Sequence, residues 1–333
     1  MRKLLLISTG GTIASTITTE GFAPSISADE MLNYLNDLGN GYQINTYELI
    51  NIDSTNIQPE HWVEMTACIE ENYPFYDGFI ITHGTDTMAY TAAALSYMIQ
   101  NIKKPIIVTG AQRPINMDTT DAKKNLKDAI TYALCEGVSG VYIVFDGKAI
   151  LGTRARKTKT KSFDAFESIN YPIAAFIDGT RVARYVRSEV PVEDEVFYKE
   201  IYPNIFLLKL APGMQPDVLD YIGEKYEGIV IESYGAGGLP FEDRRNFLEK
   251  MGSLTSNGRI VVITSQVMSE GSDMALYEVG MKALKRYNVL EALDMTLESV
   301  LTKMMWIMGQ TKKYDDVKNL FYKRISNDIM YYH

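Results

Sequence analysis

Two short segments combine threonine hydroxyls with glycine and are candidates for nucleophilic chemistry. They are Thr9-Gly10-Gly11-Thr12-Ile13 and His83-Gly84-Thr85-Asp86-Thr87. A hydroxyl attacks a carbonyl when a base accepts its proton, and glycine lets backbone N–H groups approach the oxyanion that forms. Asp86 adds a carboxylate that could orient a base or hold a substrate ammonium. Threonine and glycine are also common in turns, so these segments alone leave a purely structural role open.

The conventional bases are scarce, which makes lysine the alternative. The sequence holds only three histidines, His61, His83 and His333, and no Gly-x-Ser-x-Gly elbow, phosphate loop or Gly-x-Gly-x-x-Gly motif. Residues 154–161 carry five cations in eight positions. A lysine buried among other cations would give up its proton more readily and could act as a base. The pattern does not identify which of these lysines is buried.

Composition narrows the class of protein. The net charge of -9 argues against nucleic acid as a partner, and no apolar run is long enough for a membrane helix. Leu4–Ile7 is too short for a signal peptide and is typical of a buried strand. Cys68 and Cys135 fall in predicted helices and favour free thiols, and no Cys/His spacing indicates a metal site. We therefore expect a cytoplasmic protein without a metal or other cofactor.

Strand and helix patterns alternate along the chain and predict an α/β fold. We expect two α/β domains, a larger N-terminal one with a mostly parallel sheet flanked by helices and a smaller C-terminal one with a parallel sheet. The predicted boundaries are 1–187 for the first domain, 188–203 for a linker and 204–333 for the second domain. Residues 9–24 are predicted to be a long loop, and residues 178–204 are predicted to be irregular.

Polar clusters follow four predicted strands of the first domain. Because the carboxyl ends of parallel strands meet at one edge of a sheet, we expect the clusters to form one site. The clusters are Thr9–Thr12, Asp53–Asn56, His83–Thr87 and Thr109–Arg113.

These segments resemble a known family. Thr9–Ala14 and Gly78–Met88 are similar to the two signatures of the bacterial-type L-asparaginases, in particular the cytoplasmic type I branch. Thr109–Pro114 is similar to a third family element. The two signatures lie about 70 residues apart, each at the end of a predicted strand. The resemblance extends from Leu4 to the C-terminal helices.

The resemblance implies a reaction and a set of residue roles. The family hydrolyses L-asparagine to L-aspartate and ammonia through a threonine acyl-enzyme and needs no cofactor or metal. Thr12 would be the nucleophile, and Lys157 would complete a second catalytic group with Thr85 and Asp86. Lys157 is selected because residues 152–157, ahead of residues 163–166, match the family context without a gap. The implied substrate contacts, shared by the strand-end clusters, are Gly11, Asp53, Ser54, Thr55, Gly84, Asp86 and Ala111.

The resemblance also implies a mobile lid and a homo-oligomeric assembly. Residues 11–22 would form a lid, and the family assembles as homodimers or homotetramers in which a neighbour closes the site. Residues 232–235 are the expected contact. Phe22 stands where the family usually has a tyrosine that helps activate the nucleophile, so a water, Tyr47 or Tyr90 could replace it. The regulatory asparagine site of enteric type I enzymes is predicted to be absent or altered, because its residues correspond to Arg156, Glu232 and Val267.

The sequence leaves three alternatives open. A subunit of an archaeal tRNA-dependent amidotransferase resembles the same family, although it carries an extra N-terminal domain and this chain starts at its first strand. A non-catalytic protein that binds or senses asparagine is suggested by Phe22. A glutaminase would use the same chemistry, but resemblance to the type I branch predicts that asparagine is preferred by at least about tenfold.

Overall fold

The computed structural model describes residues 1–19, 21–35, 41–187, 191–242 and 244–330, without the side chains of residues 17, 18 and 21–24. The chain forms two compact units, residues 1–199 and residues 200–333. The break between them falls inside the segment 188–203. Within that segment, Val196 and Phe197 form a short strand that belongs to the first unit.

The first unit contains most of the strands. In chain order they are β1 (Arg2–Gly10), β2 (Ser15–Thr18), β3 (Gly21–Pro24), β4 (Tyr42–Ile52), β5 (Gly78–Thr82), β6 (Ile99–Gln100), β7 (Pro105–Thr109), β8 (Gly140–Phe145), β9 (Lys148–Leu151), β10 (Ala155–Lys157), β11 (Phe166–Ser168), β12 (Ala175–Asp178), β13 (Arg181–Arg184) and β14 (Val196–Phe197). Its helices are α1 (Ala28–Asn33), α2 (Pro59–Asn72), α3 (Met88–Met98) and α4 (Ala122–Ala133).

An eight-stranded sheet forms the centre of this unit, in the order β13-β12-β9-β8-β7-β5-β1-β4. The strands from β8 to β4 are parallel, whereas β9, β12 and β13 add antiparallel pairs at the other edge. Strands β5 and β7 are buried along their whole length, as expected for central parallel strands covered on both faces. The predicted mostly parallel sheet is therefore confirmed.

Local sequence signals account for two helix starts. Ser27 and Glu30 form a reciprocal capping box at the start of α1. Pro59 occupies the first turn of α2, where its missing N–H removes no intrahelical hydrogen bond. Helix α3 is buried along nearly its whole length, and α4 packs one apolar side into the core.

Two predictions of irregular structure were wrong. Residues 9–24 were expected to form a loop, but they contain a 3-10 turn at Thr12–Ala14 and the antiparallel hairpin of β2 and β3. Residues 178–204 were expected to be irregular, but β13 pairs with β12 and β14 pairs with β6. These strands are at most four residues long and each pairs with one neighbour, so they are too short to show the apolar pattern of a buried strand.

The second unit holds one four-stranded parallel sheet in the order β15-β16-β17-β18. Its strands are β15 (Ile205–Lys209), β16 (Gly228–Ser233), β17 (Ile260–Ser265) and β18 (Leu290–Glu291). Its helices are α5 (Val218–Lys225), α6 (Phe247–Ser256), α7 (Glu278–Arg286), α8 (Leu297–Gln310) and α9 (Tyr314–Tyr322). The predicted smaller parallel domain is confirmed. Across the residues described, the helices are all too short or too polar to cross a membrane.

Candidate active site

The cluster after β1, Thr9–Thr12, packs against the cluster after β5, His83–Thr87. Strand β1 ends at Gly10, and Gly10 and Gly11 have φ values of +92° and +77°, which favour glycine. A Cβ atom on Gly11 would lie 2.3 Å from the backbone nitrogen of Gly84. The backbone of the Thr12 loop therefore touches the segment that carries Thr85. Thr12 itself is half-buried and begins the 3-10 turn, with Ala14 N donating to Gly11 O at 3.1 Å.

The cluster after β4 joins the same edge. Asp53 caps a 3-10 turn, where its Oδ1 accepts hydrogen bonds from the backbone nitrogen and the hydroxyl of Thr55, both at 2.8 Å. Ser54 is buried, and its Oγ accepts a hydrogen bond from Asp86 N at 3.3 Å. A Cβ atom on Gly84 would lie 2.6 Å from Ser54 Oγ. Gly84 is thus packed between Ser54 on one side and Gly11 on the other.

Lys157 is the lysine that reaches the site. It ends β10, in a hairpin that sets Lys157 opposite Phe166 of β11. Its Nζ lies 2.8 Å from Thr85 Oγ1 and 2.7 Å from Asp86 Oδ1. The Lys157 side chain is 15% exposed, whereas that of Asp86 is 58% exposed. Lys157 is therefore held between a buried hydroxyl and a carboxylate that faces solvent.

His83 is part of the scaffold and does not carry a charge at neutral pH. Its Nδ1 lies 2.6 Å from Gly84 O, and its Nε2 lies 2.9 Å from Thr91 Oγ1. A carbonyl only accepts, so Nδ1 carries the proton and Nε2 accepts from the Thr91 hydroxyl. That hydroxyl accepts in turn from Trp62 Nε1 at 3.0 Å. Burial lowers the pKa of His83 to about 4, and the bond to Gly84 opposes this shift.

The fourth cluster is anchored by α4. Asp121 is buried, and its carboxylate accepts hydrogen bonds from the backbone nitrogens of Gln112 and Arg113 and from Asn125 Nδ2. Burial raises the pKa of Asp121, and these hydrogen bonds oppose the rise. The Gln112 side chain then accepts from Thr85 Oγ1 at 3.1 Å. Ala111 is fully buried in the apolar core, which leaves its backbone as the part that could meet a ligand.

The structure thus brings the four clusters and Lys157 to one edge of the sheet. Sequence reasoning missed Gln112 and Asp121 as parts of this arrangement. Gln112 carried a signal, since it lies in a strand-end cluster, whereas Asp121 carried none beyond its place ahead of a helix. Among the residues that the structure describes, no group of three or more His, Cys, Asp or Glu side chains could hold a metal ion.

The remaining sequence predictions fall elsewhere. Tyr47 is 47% exposed on β4, and Tyr90 is half-buried on α3. The side chain of Phe22 is outside the described part of the chain. Glu232 is buried in the second unit, with one carboxylate oxygen 3.7 Å from Lys209 Nζ, and Val267 is exposed. Thr16 of the hairpin and residues 113 and 116–119 line an open cavity of about 500 Å³.

Comparison with known proteins gives matches along the whole chain. Residues 3–189 match the family model described as asparaginase, N-terminal, and residues 204–321 match the glutaminase/asparaginase C-terminal domain. An L-asparaginase of Thermococcus kodakarensis is 41% identical over 98% of this chain and 99% of its own length. The solved structure of the thermostable L-asparaginase from that organism matches with a TM-score of 0.94 at 40% identity, covering 99% of this chain and 100% of that one.

Two further relatives show how far the similarity extends. L-asparaginase 1 of Escherichia coli is 30% identical over 98% of this chain and 98% of its own length. A subunit of the glutamyl-tRNA(Gln) amidotransferase of Pyrococcus abyssi is 33% identical over 99% of this chain, but the match covers only 77% of that longer protein. The higher identity and the fuller coverage both lie with the Thermococcus protein.

Proposed function

This chain belongs to the asparaginase family, and from that premise we propose that it is an L-asparaginase, which hydrolyses L-asparagine to L-aspartate and ammonia. It is an amidohydrolase. The observation that carries the proposal is the position of Lys157, whose Nζ contacts both Thr85 Oγ1 and Asp86 Oδ1 beside the loop of Thr12. A base, a hydroxyl relay and a second hydroxyl on a glycine-rich loop meet the needs of amide cleavage.

Thr12 is the proposed nucleophile. Its Oγ1 attacks the side-chain carbonyl carbon of asparagine, the C–N bond breaks, and ammonia leaves with a proton while an ester forms on Thr12. Water then attacks the ester, releases aspartate and restores the hydroxyl. Dividing the reaction in this way lowers each barrier, since an amide is a poor electrophile for water. Thr85, Asp86 and Lys157 form the second catalytic group.

Substrate recognition is assigned to the residues that surround Gly84. Asp86 keeps much of its carboxylate exposed, which suits the α-ammonium group of an amino acid. Ser54, together with Asp53 and Thr55, would meet the α-carboxylate and α-ammonium groups. Backbone groups of Gly11, Gly84 and Ala111 line the same edge. Residues 11–22, which run into the hairpin of β2 and β3, are the proposed lid and would exclude water until the acyl-enzyme forms.

Assembly and location follow the family. We assign the first catalytic domain to residues 1–187, a linker to 188–203 and the second domain to 204–333, with residues 232–235 meeting a neighbouring subunit in a homodimer or homotetramer. No nucleic acid or membrane partner is proposed. Cys68 and Cys135 are free thiols, which suits the reducing cytoplasm. Glu232, Val267 and Arg156 do not reproduce the regulatory asparagine site of enteric type I enzymes, so activity should depend hyperbolically on asparagine.

Mass spectrometry after a rapid quench tests the nucleophile. Mixing the protein with asparagine should add one aspartyl group, the mass of aspartic acid less one water, to a peptide that contains Thr12, and ammonia should accumulate. Thr12→Ala should abolish turnover and leave the fold intact. Thr46→Ala is the matched control, because Thr46 lies on β4 and donates to Asp29, outside the site. An acyl group on Thr85 would move the nucleophile there.

The alternatives give different results in the same assay. A protein that binds asparagine tightly and releases no ammonia would be a binding or sensing homologue, the alternative that Phe22 suggests. Ammonia release only with a partner chain and tRNA would identify an amidotransferase subunit. Glutamine should be hydrolysed at least about tenfold more slowly than asparagine, a difference of about 1.4 kcal/mol in the barrier.

A further inference from the structure

Gln112 makes two side-chain contacts that fix its orientation. Its Nε2 lies 3.1 Å from the carbonyl oxygen of Ser162, and its Oε1 lies 3.1 Å from Thr85 Oγ1. A carbonyl oxygen only accepts hydrogen bonds, so the amide nitrogen must face Ser162 and the amide oxygen must face Thr85. The Gln112 backbone nitrogen also donates to the Asp121 carboxylate, which holds the residue from a third direction.

This orientation determines where the Thr85 proton points. The Lys157 ammonium only donates, so Thr85 Oγ1 accepts from Lys157 Nζ at 2.8 Å. The hydroxyl proton must then go to another acceptor, and Gln112 Oε1 is the one in place. Thr85 Oγ1 therefore accepts one hydrogen bond from Lys157 and donates one to Gln112.

We infer that Gln112 is a positioning residue that accepts the Thr85 hydroxyl proton when Lys157 is an ammonium, and so stabilises the relay after it has taken up the proton of the attacking hydroxyl or water. The inference rests on the proposed function, because it concerns the same reaction. It adds a fourth residue, outside the family's catalytic group, whose effect passes entirely through the Thr85 hydroxyl. Hydrogen bonds to the Ser162 carbonyl and the Asp121 carboxylate hold Gln112 in this orientation.

Protons are conserved through this relay. When Lys157 is an amine, Thr85 donates its proton to Nζ and its oxygen receives the proton of the attacking group. Lys157 becomes an ammonium and Thr85 carries a new O–H bond, which turns toward Gln112 Oε1. This is the hydrogen-bond pattern seen in the structure. Gln112 therefore stabilises the state that exists after the relay has accepted a proton, which strengthens the relay as a base.

A double-mutant cycle tests the inference. Gln112→Met keeps the side-chain volume and removes both amide groups. We expect kcat for asparagine to fall about tenfold, since a neutral hydrogen bond contributes about that factor, while KM changes less than about threefold. In the Thr85→Val background, which lacks the hydroxyl, Gln112→Met should lower kcat by no more than about twofold further. Asn116→Met is the matched control, an exposed amide lost from the same loop, and should leave kcat within about twofold.

The outcomes separate this inference from the proposed function. An active wild-type protein whose Gln112→Met variant keeps full kcat overturns the inference and leaves the function standing. An equal loss of kcat in both Thr85 backgrounds also overturns it, because a structural role would not depend on the hydroxyl. A wild-type protein that releases no ammonia overturns both. If Gln112→Met does not fold, Gln112→Leu enters the same cycle.

Discussion

Lys157 in the first unit and Lys303 in the second form contacts of nearly equal length with aspartates, yet in very different surroundings. Lys157 Nζ lies 2.7 Å from Asp86 Oδ1, and Lys303 Nζ lies 2.6 Å from Asp328 Oδ2. The side chains of Lys303 and Asp328 have no exposed surface, whereas the Asp86 side chain is 58% exposed. Contact length alone therefore does not distinguish a structural ion pair from a functional one.

The buried pair is saturated by protein groups. Lys303 Nζ also donates to Lys323 O at 2.8 Å and lies 5.7 Å from the centre of the Phe321 ring. Asp328 Oδ1 accepts from Ile325 N at 2.8 Å. Burial lowers the pKa of Lys303, and the Asp328 carboxylate opposes the shift. These contacts tie α8 to the segment after α9, so the pair serves the fold.

The pair of Lys157 and Asp86 differs from the buried pair in its access to solvent. Asp86 faces solvent, so a substrate ammonium can approach it without breaking a buried contact. An ion pair with an exposed member contributes less to folding than a fully buried one, because water competes for the exposed charge, here that of Asp86. The difference teaches that accessibility identifies the pair that is free to take part in chemistry. Variants of the two lysines should therefore separate activity from stability.

The largest expected effect is on turnover by Lys157→Met. It removes the proposed base and should lower kcat by about 10³- to 10⁴-fold, or about 4–5 kcal/mol in the barrier. The free energy of unfolding should change by less than about 1 kcal/mol, since the Asp86 carboxylate can be solvated. Ammonia release and urea unfolding measure the two quantities.

Lys159→Met is the matched control for that variant. Lys159 lies two residues further along and pairs with Asp164, with both side chains partly exposed. Its replacement should leave kcat within about twofold. An equal loss of activity in both variants would show that general positive charge matters, and would break the assignment of Lys157 as the base.

The second effect is on stability, by Lys303→Met. It leaves Asp328 buried without its cation and should cost about 3–5 kcal/mol in the free energy of unfolding. The kcat of the folded fraction should stay within about twofold. Urea unfolding and active-site titration with the quenched acyl-enzyme check the two statements.

A companion variant sharpens this prediction. Lys303→Met combined with Asp328→Leu removes both charges and should recover about half of the lost stability, because the unpaired buried carboxylate is gone. A double variant as unstable as Lys303→Met alone would mean that packing around Lys303 is responsible for the loss. The difference between the two ion pairs would then come from side-chain packing and not from charge.

The sequence predicts most of what surrounds Lys157 and little of what surrounds Lys303. The strand-end clusters are local patterns, and parallel topology brings them together, so the edge of the sheet could be inferred from residue types alone. The family resemblance was needed to choose Lys157 over Lys159 or Lys161. The partial burial of Lys157 depends on the short hairpin of β10 and β11, which has no apolar alternation to reveal it.

Other features depend on contacts between residues that lie far apart in the sequence, and local sequence patterns do not reveal such contacts. Asp328 meets Lys303 across 25 positions, and Asp121 supports Gln112 through backbone nitrogens that nearly every residue type provides. The close approach of Gly11 to Gly84 is likewise set only by the fold. The convergence of the strand-end clusters was therefore predictable from local patterns, and the residues that hold the clusters in place were not.

The smallest of the three effects concerns His83, a titratable group that is buried without charge. Burial lowers its pKa from the ordinary value of 6.5 to about 4, so between these values the unfolded chain binds more protons than the folded one. Stability from this group is fully present above pH 6.5 and is lost as the pH falls toward 4. The loss should reach about 3 kcal/mol.

His83→Asn tests this third case, because asparagine can still donate to Gly84 O but does not titrate. At about pH 7 the variant should be about 1–2 kcal/mol less stable than wild type, since it loses the bond from Thr91. As the pH falls to about 4.5 the difference should shrink and then reverse, because only the wild type must keep an imidazole neutral. Thr91→Val keeps the imidazole and should lower stability by a roughly constant amount at every pH. If the free energies of unfolding of the wild type and of His83→Asn fell in parallel over this pH range, His83 would not be held neutral. Only the two lysine–aspartate pairs would then distinguish structural from functional charges.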